Sequence, residues 1–144
     1  MVEKKMRRTT WLGRWILTSG AVLCLIAIAH NAFAPAMYQA AKNDPAVKDK
    51  AAGLVYFFVL GGSAYLFAGL LTMYASTGLR KAQRWAWTVA ISSGVFVALA
   101  SIAALVYARF HNPMIYAAGL CAVSNVVVLL ILSPGRIACP RPAD

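Results

Sequence analysis

His30 and Asn31 are the residues of this chain best placed to do chemistry. They sit side by side in a run, Trp15–Phe33, that carries no Asp, Glu, Lys or Arg. An imidazole and a carboxamide each accept and donate hydrogen bonds. At 1.5 Å per helical residue they lie about 22 Å beyond Trp15, in the outer quarter of a hydrocarbon layer about 30 Å thick. Polar groups at that depth face protein or a wet cavity. Tyr56, Tyr107, His111 and Tyr116 fall near the same level. The six together predict a pocket for a quinone, a haem or a lipid near His30. The plainer alternative is a hydrogen-bonded His-Asn pair that ties the first span to its neighbours.

Two histidines on one side of a membrane raise haem ligation, which takes axial nitrogens from facing helices. His111, however, falls in a turn outside the apolar runs. Zinc lacks a third protein ligand. Cys24, Cys121 and Cys139 make no CxxC or Cys/His ligand spacing. The first two read as small packing residues inside spans. No metal set and no catalytic residue is therefore assigned, and the chain leans towards a non-enzyme without the sequence deciding it. No carboxylate lies within a span, so a proton-coupled multidrug transporter lacks its coupling group. No Gly-rich phosphate loop occurs. Asn125 lies about 18 Å along the last span from Pro113. It is expected to bond with Ser124 and with Ser92 or Ser93 across helices. Ser63, Tyr65 and Ser101 read as packing and hydrogen-bonding groups.

The elements that must position these residues are four stretches free of charge: Trp15–Phe33, Gly53–Ser76, Trp85–Ala108 and Met114–Leu132. A membrane-spanning helix needs roughly 20 residues, and each stretch suffices. The chain is 61% hydrophobic, beyond the usual composition of a soluble domain. The predicted fold is all-α: one integral-membrane four-helix bundle over 1–144, with spans near 12–34, 53–77, 85–109 and 113–132. Ala32-Phe33-Ala34 resembles a signal-peptidase site, but the apolar run before it exceeds a signal h-region of about 7–15 residues. The first span is read as retained.

A net charge of +10 invites nucleic acid, but its distribution argues against that partner. With the N-terminus inside, the inner segments hold ten Lys and Arg and the outer segments four: Lys42, Lys48, Lys50 and Arg109. The positive-inside rule then puts both termini in the cytoplasm. Trp11, Trp15, Trp85 and Trp87 gather at the inner interface. Tyr38, Tyr56, Tyr107, Phe110 and Tyr116 gather at the outer one. The basic inner rim is expected to attract anionic lipids. The location expected is the cell membrane, as a multi-pass protein of the bacterial inner-membrane kind.

Turn chemistry divides the spans. Pro35 ends the first, and 36–42 is expected to form a short interfacial helix. Asp44 reads as an N-cap with Pro45 at the first helical position. Gly78 reads as the residue just past the second span. Asn112-Pro113 opens the fourth span.

In lipid, helices associate where small residues let backbones approach. Ala86, Ala90, Gly94 and Ala98 repeat at four-residue spacing. Gly61, Gly62, Ala64, Ala68 and Gly69 crowd the second span. Ala117, Cys121 and Asn125 form a stripe in the fourth, with Ala118 and Ala122 beside it. These stripes predict packing within the bundle, and beyond it against other membrane subunits or another copy. The leading functional expectation is a non-catalytic accessory or structural subunit. The alternatives are a module holding a quinone, haem or lipid near His30, and a small-solute transporter working as an oligomer. The chain's cofactor, if it has one, is not legible.

Overall fold

The structure is a computed structural model that describes residues 2–107 and 113–132, with side chains over 9–106 and 114–132. It is helical, with no strand among the described residues. The elements are α1 (Val2–Ala32), α2 (Ala34–Asn43), a 3₁₀ turn (Lys48–Lys50), α3 (Ala51–Arg80), α4 (Arg84–Tyr107) and α5 (Pro113–Ile131). Four of the helices are long and apolar enough to cross a membrane. Their outward faces carry Leu25, Ile28, Phe67, Leu99, Ile102 and Leu120, all exposed. Patches of that extent are unusual on a soluble monomer. The chain has the build of a multi-pass membrane protein.

The long helices run up and down. α1 packs along α3, α3 along α4 and α4 along α5, and a narrower contact between α5 and α1 closes the ring. Two apolar clusters fill the interior. One, at the end holding the α1 N-terminus, joins Leu12, Ile16, Ala75, Leu79, Ala90 and Leu129. The other joins Leu23, Ala27, Tyr65, Ala68, Val97 and Ala122. Between them, each long helix contributes one buried polar residue: Ser19, Thr72, Ser93 and Asn125. Thr72 Oγ1 and Ser93 Oγ lie 3.1 Å apart, and both hydroxyls reach the Ala68 carbonyl.

The closest approach is between α1 and α3. A Cβ on Gly20 would stand 2.8 Å from the Gly69 carbonyl oxygen, and one on Gly69 would stand 2.9 Å from that of Gly20. Glycine is required at both positions because backbone faces backbone. The small residues predicted for packing are placed as follows. Gly62 and Gly69 lie against α1, Ala90 is buried in the first cluster, Gly94 meets Val126 of α5, and Ala98 lies against the second cluster. In α5 the inward stripe is Ala118, Ala122, Asn125 and Leu129, while Ala117 is exposed.

Three local expectations shift. α2 starts at Ala34, with Pro35 in its first turn where a missing N–H costs nothing. The Asp44 carboxylate does accept from the Ala46 N–H at 2.9 Å, but it caps a turn, and regular helix resumes only at Ala51. α3 runs past Gly78 to Arg80. The Gln83 N–H bonds the Gly78 carbonyl and the Ala82 N–H that of Leu79, which is the Schellman pattern. Its left-handed residue is Ala82, at φ 54°. Gly78 serves packing instead: a Cβ there would meet Ala86 at 2.6 Å and Trp85 at 2.7 Å.

Candidate functional site

The junction of α1 and α2 places His30 against α3. Pro35 has no N–H to offer the Asn31 carbonyl, and the Phe33 N–H instead bonds His30 O at 3.1 Å. The chain tightens there and swings α2 across the end of α3. On α3, the pair Gly61-Gly62 divides two tasks. A Cβ on Gly62 would strike Asn31 Oδ1 and stand 2.9 Å from His30 Cδ2, so this glycine seats the His-Asn pair. A Cβ on Gly61 would meet nothing within 4 Å, and Gly61 borders open space.

That space is a cavity of about 600 Å³ between α2, α3, α4 and the start of α5. Its existence follows from side-chain size. Ala41, Gly61, Ala64, Ala100 and Ala104 all line it and leave it unfilled. Met37, Leu54 and Phe57 border it and are exposed, so they form its mouth. Tyr65 and Ile115 are buried and form its floor. The Tyr65 hydroxyl lies 3.2 Å from Ser101 Oγ.

His30 is the imidazole of the wall. Its ring stacks on Phe58 with centroids 3.7 Å apart and planes 16° from parallel. Its Nε2 lies 3.1 Å from the Phe58 carbonyl oxygen. A carbonyl only accepts, so Nε2 carries the proton and donates. Position 62 helps here, because a side chain one turn on would crowd that carbonyl. Pockets of this kind, apolar with one or two placed polar groups, are the usual form of small-molecule sites.

The six predicted site residues do not come together as one cluster among the described residues. His30 lines the cavity. Asn31 turns to Gly62, and its Oδ1 is buried without a donor among the described residues. Tyr56 is 63% exposed, with its ring edge-on to Phe57. Tyr116 is 42% exposed on α5. Tyr107 ends α4, and its side chain lies outside the described residues, as does His111 entirely. The sequence reading missed Phe58 and the alanines Ala41, Ala100 and Ala104. For Ala100 and Ala104 the signal was present as small residues at four-residue spacing, which reads equally as helix packing.

Asn125 departs from its expectation. It is 1% exposed, yet its Oδ1 has no donor among the described residues. Ser124 bonds its own helix at the Cys121 carbonyl. Ser92 faces outward. Ser93 is taken by Thr72 and Ala68. Cys24 and Cys121 are free thiols that reach carbonyls across helices, at Leu66 and Ser19. No group of three metal-ligating side chains forms among the described residues. Compared with known proteins, the chain matches no family model, no curated protein and no solved structure.

Proposed function

We propose that this protein holds an amphipathic small molecule, a lipid or a quinone-type compound, in the cavity beside His30. The observation that carries the reading is the cavity itself. It is about 600 Å³, walled by small and apolar residues, with one imidazole fixed at its side. An iron-ligating role draws less support, because among the described residues the cavity wall brings no second imidazole and no cysteine to His30. Conduction draws less as well, because two apolar clusters and a polar layer fill the bundle axis. The protein is a multi-pass component of the cell membrane, of the bacterial inner-membrane kind. Both termini lie in the cytoplasm, supported by the ten-to-four distribution of Lys and Arg. Reporter fusions at the C-terminus and within 43–50 test that orientation.

The test of the ligand reading is native mass spectrometry of protein extracted in mild detergent. A retained amphiphile should be present in wild type and lost in Ala104→Phe, where the added ring occupies the cavity. Equal retention by both proteins would remove the cavity as the site.

The accessory-subunit reading retains one specific support. A second groove, of about 450 Å³, runs between α3 and α4 and is lined by Phe67, Leu71, Thr88, Ser92 and Phe96. Ser92 faces outward there, and an outward hydroxyl within a span suits a partner helix that bonds to it. Loss of a co-purifying subunit in Ser92→Leu, with the bundle intact, is the expected sign of that role.

A further inference from the structure

We propose that the cavity selects an amphiphile whose head group donates a hydrogen bond, an alcohol or a quinol rather than a ketone, ether or ester alone. This rests on the reading of the cavity as a ligand site and names the class of its ligand.

The argument runs through the tautomer of His30. A neutral imidazole has one N–H and one lone-pair nitrogen. The Phe58 carbonyl oxygen, 3.1 Å from Nε2, accepts only, so the proton resides on Nε2. Nδ1 is then the acceptor. The ring's orientation agrees. Its Nε2–Cδ2 edge is turned to the α3 backbone, with Cδ2 beside Gly62 and Nε2 at Phe58. One ring face is covered by the Phe58 ring. The edge that remains for a cavity occupant is the one bearing Nδ1. A quinone carbonyl brought to that edge sets two lone pairs against each other. A hydroxyl turns its proton to Nδ1 and satisfies it. A site built around an acceptor rejects analogues that lack the donor, because a desolvated polar atom is left unpaired.

The rest of the wall sets the shape of the ligand. Gly61, Ala64, Ala100 and Ala104 present smooth apolar surface with no charge, which suits an unbranched or prenyl chain. The Tyr65 hydroxyl pairs with Ser101 Oγ at 3.2 Å, and either donates to the other; comparison of wild type with His30→Phe isolates the contribution of His30.

Farnesol and farnesyl methyl ether form a matched pair that differs in one O–H. Their relative occupancy is measured in nanodiscs by native mass spectrometry, for wild type and for His30→Phe. Taking the ratio of ratios cancels the different partitioning of the two compounds into lipid. The expected result is an alcohol preference about fivefold greater in wild type than in His30→Phe, the yield of one hydrogen bond of about 1 kcal/mol. A second measurement needs no change at position 30. ¹⁵N spectra of histidine-labelled His111→Ala protein should show His30 as the Nε2–H tautomer. Its Nδ1 resonance should move on adding farnesol and stay unmoved with the ether. If both compounds bind with equal ratios in the two proteins, or if Nδ1 carries the proton, the donor requirement is overturned while the cavity stands. If neither compound binds and Ala104→Phe changes nothing, the ligand site falls and this inference with it.

Discussion

Replacing Gly20 or Gly69 by alanine should destabilise the bundle, while the same change at Gly61 should not. The two contributions can be set side by side. Alanine in place of glycine within a helix gains up to about 1 kcal/mol from propensity. At Gly61 a Cβ meets nothing within 4 Å, so that gain stands alone. At Gly20 the new atom stands 2.8 Å from the Gly69 carbonyl oxygen and 2.9 Å from the Met73 nitrogen, both backbone. Neither can rotate away. Restoring an ordinary 3.4 Å contact requires α1 and α3 to part by about 0.6 Å. A gap of that size forfeits about a quarter or more of the dispersion energy along the contact, and this is the most extensive helix pair in the bundle. Overpacking of this type costs about 1–3 kcal/mol, which exceeds the propensity gain at its upper end. Gly20→Ala and Gly69→Ala should therefore each lose up to about 2 kcal/mol net. The double variant should lose less than the sum, since one separation relieves both clashes. The assay is reversible unfolding by SDS titration in mixed micelles, followed by circular dichroism. Gly20→Ala and Gly69→Ala unfolding at or above the wild-type midpoint, with Gly61→Ala below it, would refute the backbone-contact account.

Four further outcomes are expected by the same assay. Ala82→Gly should raise stability by about 1 kcal/mol, because it relieves a left-handed backbone at φ 54° in the α3–α4 turn. Asn125→Leu should leave stability unchanged or higher, because it removes a buried acceptor that has no donor among the described residues. Ser93→Ala should cost about 0.5–1 kcal/mol, because it removes bonds to Thr72 and Ala68. Trp87→Phe should cost about 1 kcal/mol through loss of the 3.0 Å bond from its indole N–H to the Leu129 carbonyl, which joins α4 to α5.

The helical architecture was legible because charge is excluded from lipid and because spans have a minimum length. Both constraints act on the chain one stretch at a time. The inward faces of α4 and α5 were mostly legible too, since Ala86, Ala90, Ala118 and Ala122 repeat at helical spacing and are all buried. Helix ends were read less well. Gly78 has the residue type of a helix stop, yet the contact with Ala86 is what demands it, and the left-handed position fell to an alanine. The cavity was half legible. His30 marked it, but an absence of side-chain volume has no residue of its own. Ala41, Ala100 and Ala104 come from two helices, and their convergence is set by tertiary packing. The partner of His30 was beyond reach of a sequence reading, because it is a backbone carbonyl, which every residue carries.

The four polar residues between the two apolar clusters also work as an index mark for assembly. Ser19, Thr72, Ser93 and Asn125 share one level only when all four helices stand at the correct height. If α4 slid along α3 by one turn, about 5.4 Å, Ser93 would lose both Thr72 and the Ala68 carbonyl and enter an apolar cluster. In the hydrocarbon layer, where apolar side chains gain little by choosing one neighbour over another, apolar contact alone discriminates such slips weakly. A slip of α4 against α3 leaves at least one desolvated hydroxyl without its partner across the pair, so the height of these two helices is settled by polarity and the lateral approach of α1 and α3 by their glycines. Height and closeness are thus set by separate residues. A change at one should leave the other intact.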